Sequence, residues 1–574
     1  MRSPRNSTHP RRWPLATSLS LAAAVGCTLA VVGCKKDTPA SPPPTESSIL
    51  SEPLLSKLPT TTAGFLVWDL SGEAWKSLKA SPWGGSLTSL DGLKTSIERM
   101  KAGGSNEEEV KLAETALSAL QKLGLVSEDG ASTADKVIAK GLLFFGPKPS
   151  TDSLPIDAGI YLAGAPSADL REKLSVLKSL LSESDLKISD QKFGSADGFK
   201  AAPAELEGQD LGLYVGATKS ELGISLSKAG LEPLFSDSKT QTIETLRNLP
   251  EFKKVEISVR NPESPLSFGF LSVAKIAPLL EQAKDDIGFD PKDLPLEGVA
   301  FSAAFSKQYV NNVAAAISPR SDTQKKVLAA FEGATLPAGS FALPKDAAFG
   351  VSLNTSALGK IDGIAQQLNG AGSLTQTPLI KEMRGFTIGA RAGQGGSPFP
   401  DLLLAIDTEQ PKATSTSLEQ LISLGLMTAG QEAQWQSKEI AGATTRYFTS
   451  IIGAGVYITP LESSKAVLLA TSEKAISDLL TASRDTSQGV RAAFSSALQA
   501  RIPASSLGVF YVNFPQVATV MDSVKGSLGM LTGGNSEIDQ ALDSSKIKPL
   551  GMSLGDISYL DGVFRIQQAF DSVK

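Results

Sequence analysis

Apolar residues along this chain come in short runs, mostly in pairs, and each pair is followed by a stretch with helical spacing. Leu170, Leu174, Leu177 and Leu181 recur at that spacing behind Ser167 and predict a helix. Leu93, Ile97 and Met100 share one helical face, as do Val110, Ala113, Leu117, Leu120 and Gly124. The second of these sets opens on Asn106-x-x-Glu109, a capping-box-like start, and ends at Gly124, so residues of about 86–126 predict a helical hairpin. Alternation of strand, strand and helix argues for antiparallel sheet with helices packed on one face, an α+β architecture.

The pattern also repeats. Gly141-Leu142-Leu143-Phe144 matches Gly385-Phe386-Thr387-Ile388, and Asp157–Leu162 matches Asp401–Ile406, both 244 positions on. Gly212–Val215 meets Gly455–Ile458 at 243, and Leu266–Leu271 meets Leu507–Val512 at 241. At the front, Leu58-Pro59 pairs with Leu343-Pro344 at 285, so the first copy carries the hairpin as an insertion. The expectation is two tandem related halves, residues 49–335 with the insertion and residues 336–574.

The N-terminus follows a different rule. Arg2, Arg5, Arg11 and Arg12 precede an apolar run from Leu15 to Val32, and Cys34 follows. Basic, apolar, then small is the order of a signal peptide over residues 1–33. The sequence Leu29-Ala30-Val31-Val32-Gly33-Cys34 resembles the bacterial lipobox, which implies that Cys34 becomes an acylated first residue. Cys27 is a poorer candidate, because Ala24 stands where the lipobox has a branched residue. An uncleaved membrane anchor is the alternative, since the run is just long enough to span a bilayer. Lys35 after the Cys, where Asp implies inner-membrane retention, leans the resemblance towards the outer membrane. From Lys35 to Ser48 the chain is Pro-rich and lacks apolar periodicity. At about 3.1 Å per residue it forms a tether on the order of 40 Å long.

Composition narrows the chemistry. Of 574 residues, 41% are apolar and 20% charged, a globular balance for a chain too long for one core. Removing residues 1–33 takes four arginines and no acid from the whole-chain charge of -5, leaving -9. An acidic body without a basic, aromatic-rich run repels phosphate backbones, so no nucleic-acid partner is expected. The single histidine is His9, and the two cysteines are Cys27 and Cys34. The body beyond Cys34 therefore lacks the groups for His- or Cys-ligated zinc, for Ser-His-Asp or Cys-His nucleophilic sites, and for c-type haem. No cofactor or metal is expected.

Several short motifs invite chemistry that their surroundings do not support. Gly551-Met552-Ser553-Leu554-Gly555 has the nucleophile-elbow pattern but no histidine to act as base. Ser184–Lys187, Ser225–Lys228 and Ser272–Lys275 fit Ser-x-x-Lys without its companion motifs. Asp285, Asp286, Asp290 and Asp293 surround Gly288 but lack the ligand alternation of a calcium loop. Trp68, Trp75 and Trp83 lie close in sequence. Trp68 sits inside an apolar strand pattern, whereas Trp75 and Trp83 are candidates for an exposed platform that stacks against sugar rings.

The body opens with Leu58-Pro59 and an apolar strand through Leu66-Val67, and has strand-to-helix passages such as Ala466–Lys474. In this it resembles a widespread bacterial family of exported proteins defined only as a domain of unknown function. That resemblance implies an envelope location, no known reaction and no functional residue. The expected function is a lipid-anchored envelope protein that binds an envelope protein, lipid or glycan without catalysis. The alternative is a cell-wall polysaccharide hydrolase built on two carboxylates, which needs neither His nor Cys.

Overall fold

A computed structural model describes residues 53–571 apart from 60, 82–96, 98–100, 102–106, 128–132, 149–155, 183–185, 205–211, 237–245, 247, 260–264, 283–292, 306–307, 357–381, 394–398, 429, 450–454, 503–505 and 533–543. The signal segment, Cys34, the tether and the helix expected at Leu93–Met100, save Ile97, thus lie outside the described residues, or nearly so. The chain forms two compact units, residues 48–80 with 84–243, and residues 244–574.

Among the described residues the first unit holds seven strands: β1 (Gly64–Asp69), β2 (Ile138–Pro147), β3 (Ile156–Gly164), β4 (Leu186–Phe193), β5 (Ala196–Pro203), β6 (Leu213–Ala217) and β7 (Glu221–Ser225). They pair antiparallel in the order β4-β5-β6-β7-β3-β2-β1. Helices α1 (Glu73–Lys79), α2 (Glu107–Lys122) and α3 (Leu170–Ser182) accompany them. The predicted stop at Gly124 holds. Its φ is +73°, its N–H donates to Gln121 O, and Leu125 N–H donates to Leu120 O, which together close α2 in a Schellman turn. Leu174, Leu177 and Leu181 of α3 pack on Phe199, Val215 and Leu222 of the sheet, as their spacing requires.

The second unit holds β8 (Pro265–Ser272), β9 (Leu296–Phe305), β10 (Tyr309–Ile317), β11 (Phe349–Asn354), β12 (Met383–Arg391), β13 (Asp401–Thr408), β14 (Gln436–Ile440), β15 (Ala443–Thr449), β16 (Gly455–Leu461), β17 (Ala466–Ala470), β18 (Ser506–Asn513), β19 (Met552–Leu560) and β20 (Val563–Phe570). Their antiparallel order is β14-β15-β16-β17-β13-β12-β11-β18-β19-β20-β10-β9-β8. Among the described residues, β4 pairs only with β5 and β14 only with β15. Both carry charge, Lys187, Asp190 and Lys192 on β4 and Lys438 and Glu439 on β14, which discourages further strand addition.

Helices of the second unit are α4 (Pro250–Val259), α5 (Val273–Gln282), α6 (Asp322–Phe331), α7 (Pro411–Thr428), α8 (Glu473–Arg484) and α9 (Phe514–Thr532). Ser472 caps α8 by accepting from Ala475 N–H, and Ala475, Ile476, Leu479 and Leu480 bury against Leu403, Ala405, Leu468 and Ala470. Each large side chain of that set contributes about 1.5–3 kcal/mol of burial. Helix α7 packs on the other side of the same strands, with Leu418 against Ile406, Ile458 and Val467. This corrects the expectation of helices on one face only. Strands β13 and β17 are apolar on both faces, and such strands need cover on both sides. The compact units also meet at residues 243 and 244 rather than at 335 and 336, because β8–β10 join β20 within the second unit.

Candidate functional site

Successive residues of a strand point to opposite faces, and paired residues share one, so away from the register shifts the ladders assign side chains of the second sheet to faces. One face carries Val310, Ala405, Leu468, Tyr511 and Leu554, which form the core with α8. The opposite face carries Val313 beside Ile566, Ile566 beside Ile557, Val351 beside Ile388, and Ile388 beside Leu404. Helix α7 covers its β13 end. At the other end, Leu328 and Phe331 of α6 cover Tyr559 and Phe564. Helix α9 packs along β12, β18 and β19, and Ser553 on this face is fully buried, but Val313, Phe349, Ile388, Leu402 and Ile566 stand 39–52% exposed. Those five are nearly half of the eleven large apolar side chains exposed among the described residues, and one face of one sheet holds them.

Charge is distributed the opposite way from a solvated sheet. Across β9–β13 and β18–β20, from Val299 to Phe305 and from Phe386 to Ala390 on the bounding irregular strands, no Asp, Glu, Lys or Arg stands on the open face. Arg391, Asp401, Asp556 and Arg565 all lie on the strands' other face, towards the core.

The inward charges form two groups. The Arg391 guanidinium, 1% exposed, donates from Nε to Asp401 at 3.3 Å and from Nη1 to Asp478 at 2.8 Å and Asp346 at 3.2 Å. Burial works against ionisation of Asp478, but hydrogen bonds from Lys474 and Arg391 outweigh it and hold its carboxyl low. Among the described residues, Arg391 Nη2 and the Tyr511 hydroxyl have no hydrogen-bond partner. Asp556 of β19 is buried with Oδ2 unpartnered, and burial, only partly offset by Arg565, pushes its pKa to about 7.

In the first unit, Glu221 accepts from the Tyr161 hydroxyl and from Lys57 Nζ, which also donates to Leu234 O at 2.7 Å. Burial, with Glu221 adding to it, raises the Tyr161 pKa far above its usual value. Asp157 is buried beside Ser225 and Ser227 hydroxyls, and burial raises its pKa too. A concavity of about 630 Å³ lies between α3 and the β4–β5 hairpin, but two of its cations are already paired, Lys178 with Asp190 and Lys192 with Asp197.

The residues singled out by sequence fare differently. Trp75 is 3% exposed: α1 turns Ala74, Trp75 and Leu78 into the core, so it presents no face to a sugar ring, and this corrects the platform expected there. Trp83 and Cys34 lie outside the described residues, as do Asp285, Asp286, Asp290 and Ser184. Ser553 sits within β19 opposite Val512, fully buried, rather than on a strand-to-helix elbow. Ser272 caps α5 by accepting from Lys275 N–H and donates to Glu251 Oε1 at 2.6 Å, so its hydroxyl is engaged in structure. Ser225 Oγ is directed to Asp157. Among the described residues no group of three or more His, Cys, Asp or Glu side chains is arranged to hold a metal, and no helix is long and apolar enough to cross a membrane. The open apolar face was missed by sequence reasoning, because both faces of these strands are apolar.

No family model matches the chain, and no curated protein matches it. Among solved structures, one described as crystal form I of TP0453 is similar at 9% identity and a TM-score of 0.21, covering 46% of this chain and 79% of that one. A likeness of that size says nothing about fold or function.

Proposed function

We propose that this chain is a membrane-anchored cell-envelope lipoprotein whose body is a non-catalytic binding module, held at the outer membrane by acylated Cys34 and facing the periplasm or the cell surface. The observation that carries the binding role is the open face of the second sheet. An antiparallel sheet with one solvated face normally alternates apolar and polar residues. Here both faces are apolar, and an exposed patch of this kind marks an interaction site. Asp346, Asp401 and Asp478 converge on Arg391, where ion pairing engages them, an arrangement that suits a structural role for that cluster.

The body reads as two tandem copies. The order β4-β5-β6-β7-β3-β2-β1 recurs as β14-β15-β16-β17-β13-β12-β11. Caps recur with it: Ser227 and Ser472 accept from the N–H three residues on, as do Ser272 and Asn513. In the β10–β20 ladder, Val310 faces Ala569 and Ala314 faces Arg565, with Asn312 and Gln567 midway, the self-complementary pairing of two related strands about a local two-fold.

Mass spectrometry of the protein extracted from membranes tests the anchor. The expected first residue is Cys34 with acyl chains, together with a stoichiometric co-purifying molecule. An intact N-terminus on protein recovered from the cytosol would refute it.

A further inference from the structure

The occupant of the open face can be argued from what that face offers. Strands β9–β13 and β18–β20 satisfy their backbone groups within the sheet, so the floor has no main-chain donors or acceptors for an added strand or a sugar. Its hydrogen-bonding side chains are Asn311, Gln568 and Tyr309 together with Ser553, Tyr559 and Thr408, none of them charged, and the last three are buried. Protein interfaces ordinarily carry about one hydrogen bond per 100–200 Å² with a polar rim, and glycans need more. Paired backbone and uncharged side chains are instead the two conditions for contact with hydrocarbon.

Delivery follows from the anchor. A tether of about 40 Å from Cys34 keeps the body within reach of the leaflet. Resting on the lipoprotein reading above, we infer that acyl chains of a membrane glycerophospholipid occupy this face, running from Leu402 and Ile388 past Phe510 to Ile566 and Val313. Phe510, half-buried with its ring over Gly555, lies between the two exposed ends.

The test uses the thiol content of the mature chain. With Cys34 acylated, no other cysteine remains, so Ile388→Cys, Ile566→Cys and the control Ile257→Cys each take a single fluorophore. Ile257, 72% exposed on α4, is apolar but lies off this face. The full chain is reconstituted into phosphatidylcholine vesicles with brominated acyl chains, and each labelled variant is first shown to melt like the wild type. Quenching at positions 388 and 566 should exceed that at 257 by about threefold or more. Equal quenching at all three positions overturns the inference, as does a probe at 388 shielded equally by non-brominated vesicles and by protein alone at rising concentration, which would mean a second copy covers the face. Should Ile388→Cys melt early, Leu402→Cys substitutes at the most exposed position of the patch. Wild-type protein that itself takes up label at Cys34 would instead refute the anchor, so the two failures are distinguishable.

Discussion

The guanidinium of Arg391 lies 3.3 Å from the Asp401 carboxylate, and both are almost completely buried. In the first unit Asp157 is buried too, and there burial raises its pKa, with the Ser227 and Ser225 hydroxyls and the charge of Lys148 only partly offsetting it. Two buried carboxylates are thus accommodated differently, Asp401 by a contact ion pair and Asp157 chiefly by hydroxyl hydrogen bonds with a raised pKa.

Arg391→Met leaves Asp401 buried without its counter-charge. Removing one partner of a buried pair typically destabilises by about 3–5 kcal/mol. Urea unfolding followed by circular dichroism should show a loss of that size, and Asp401→Asn introduced on top should recover part of it. A loss below about 1 kcal/mol would mean that water already solvates the cluster.

Asp556 makes stability depend on pH in the less familiar direction. Its folded pKa is about 7 against an ordinary 3.8, so between those values the folded state holds a proton that the unfolded state has released. Stability therefore falls as pH rises from about 4 to 7 and levels off above that. Asp556→Asn should remove this slope and stabilise the protein at pH 8 by an amount on the order of a few kcal/mol. Chemical denaturation at pH 5 and pH 8 checks it, and identical slopes in both proteins would contradict the assignment.

Glu221 joins two groups that would otherwise be left wanting. Glu221→Ala strands the Tyr161 hydroxyl and removes the ion pair that helps hold Lys57 against Leu234 O. Leaving a buried donor unmet costs about 1–3 kcal/mol. Tyr161→Phe, which removes the donor itself, should cost less, and the double variant should cost less than the sum. A thermal-melt cycle measures the coupling.

Much of this architecture was legible from periodicity: the strand pairs, the helix at Leu170–Leu181 and the stop at Gly124 all follow from local rules. Two features were not. The sequence match set Leu143 against Thr387; on the tandem-copy reading, with Leu66 equivalent to Val351, strand pairing would set Leu143, opposite Leu66, against Ile388, opposite Val351. That slip of one residue exchanges the faces of β2 and β12, and a local match cannot detect it because both faces are apolar. The open face was hidden for a related reason. Hydrophobicity alone would put Val313 and Ile566 inside, yet the core side of β10 holds Val310, Asn312, Ala314 and Ala316, which α4 approaches closely, and the bulkier residues face out. Size, set by how near a helix packs, decided the face, and charges went inward where they could pair. The chemistry of Cys34 rests on local sequence alone, and Trp75 was misplaced because three neighbouring tryptophans do not reveal which way α1 is turned.

Register equivalence makes one further prediction. Gly269 of β8 lies under the Phe301 ring of β9, and Gly555 of β19 lies under the Phe510 ring of β18; a Cβ on either glycine would sit 2.0 or 2.2 Å from the nearest ring carbon. On the tandem-copy reading proposed above, with Gly269 equivalent to Phe510 and Phe301 to Gly555, the two strand pairs would fill the same volume from opposite strands. Phe301→Gly alone opens a cavity, a change that costs about 3–5 kcal/mol for a fully buried ring and somewhat less for this half-buried one. Gly269→Phe alone drives its side chain into the existing ring, at about 1–3 kcal/mol or more. Made together, they recreate on β8 and β9 the arrangement already present on β18 and β19, so the double variant should be more stable than the sum of the singles by about 1–3 kcal/mol. A double-mutant cycle by denaturant unfolding reads this directly. Strict additivity would show that the two pairs merely look alike and that the strands do not correspond residue for residue.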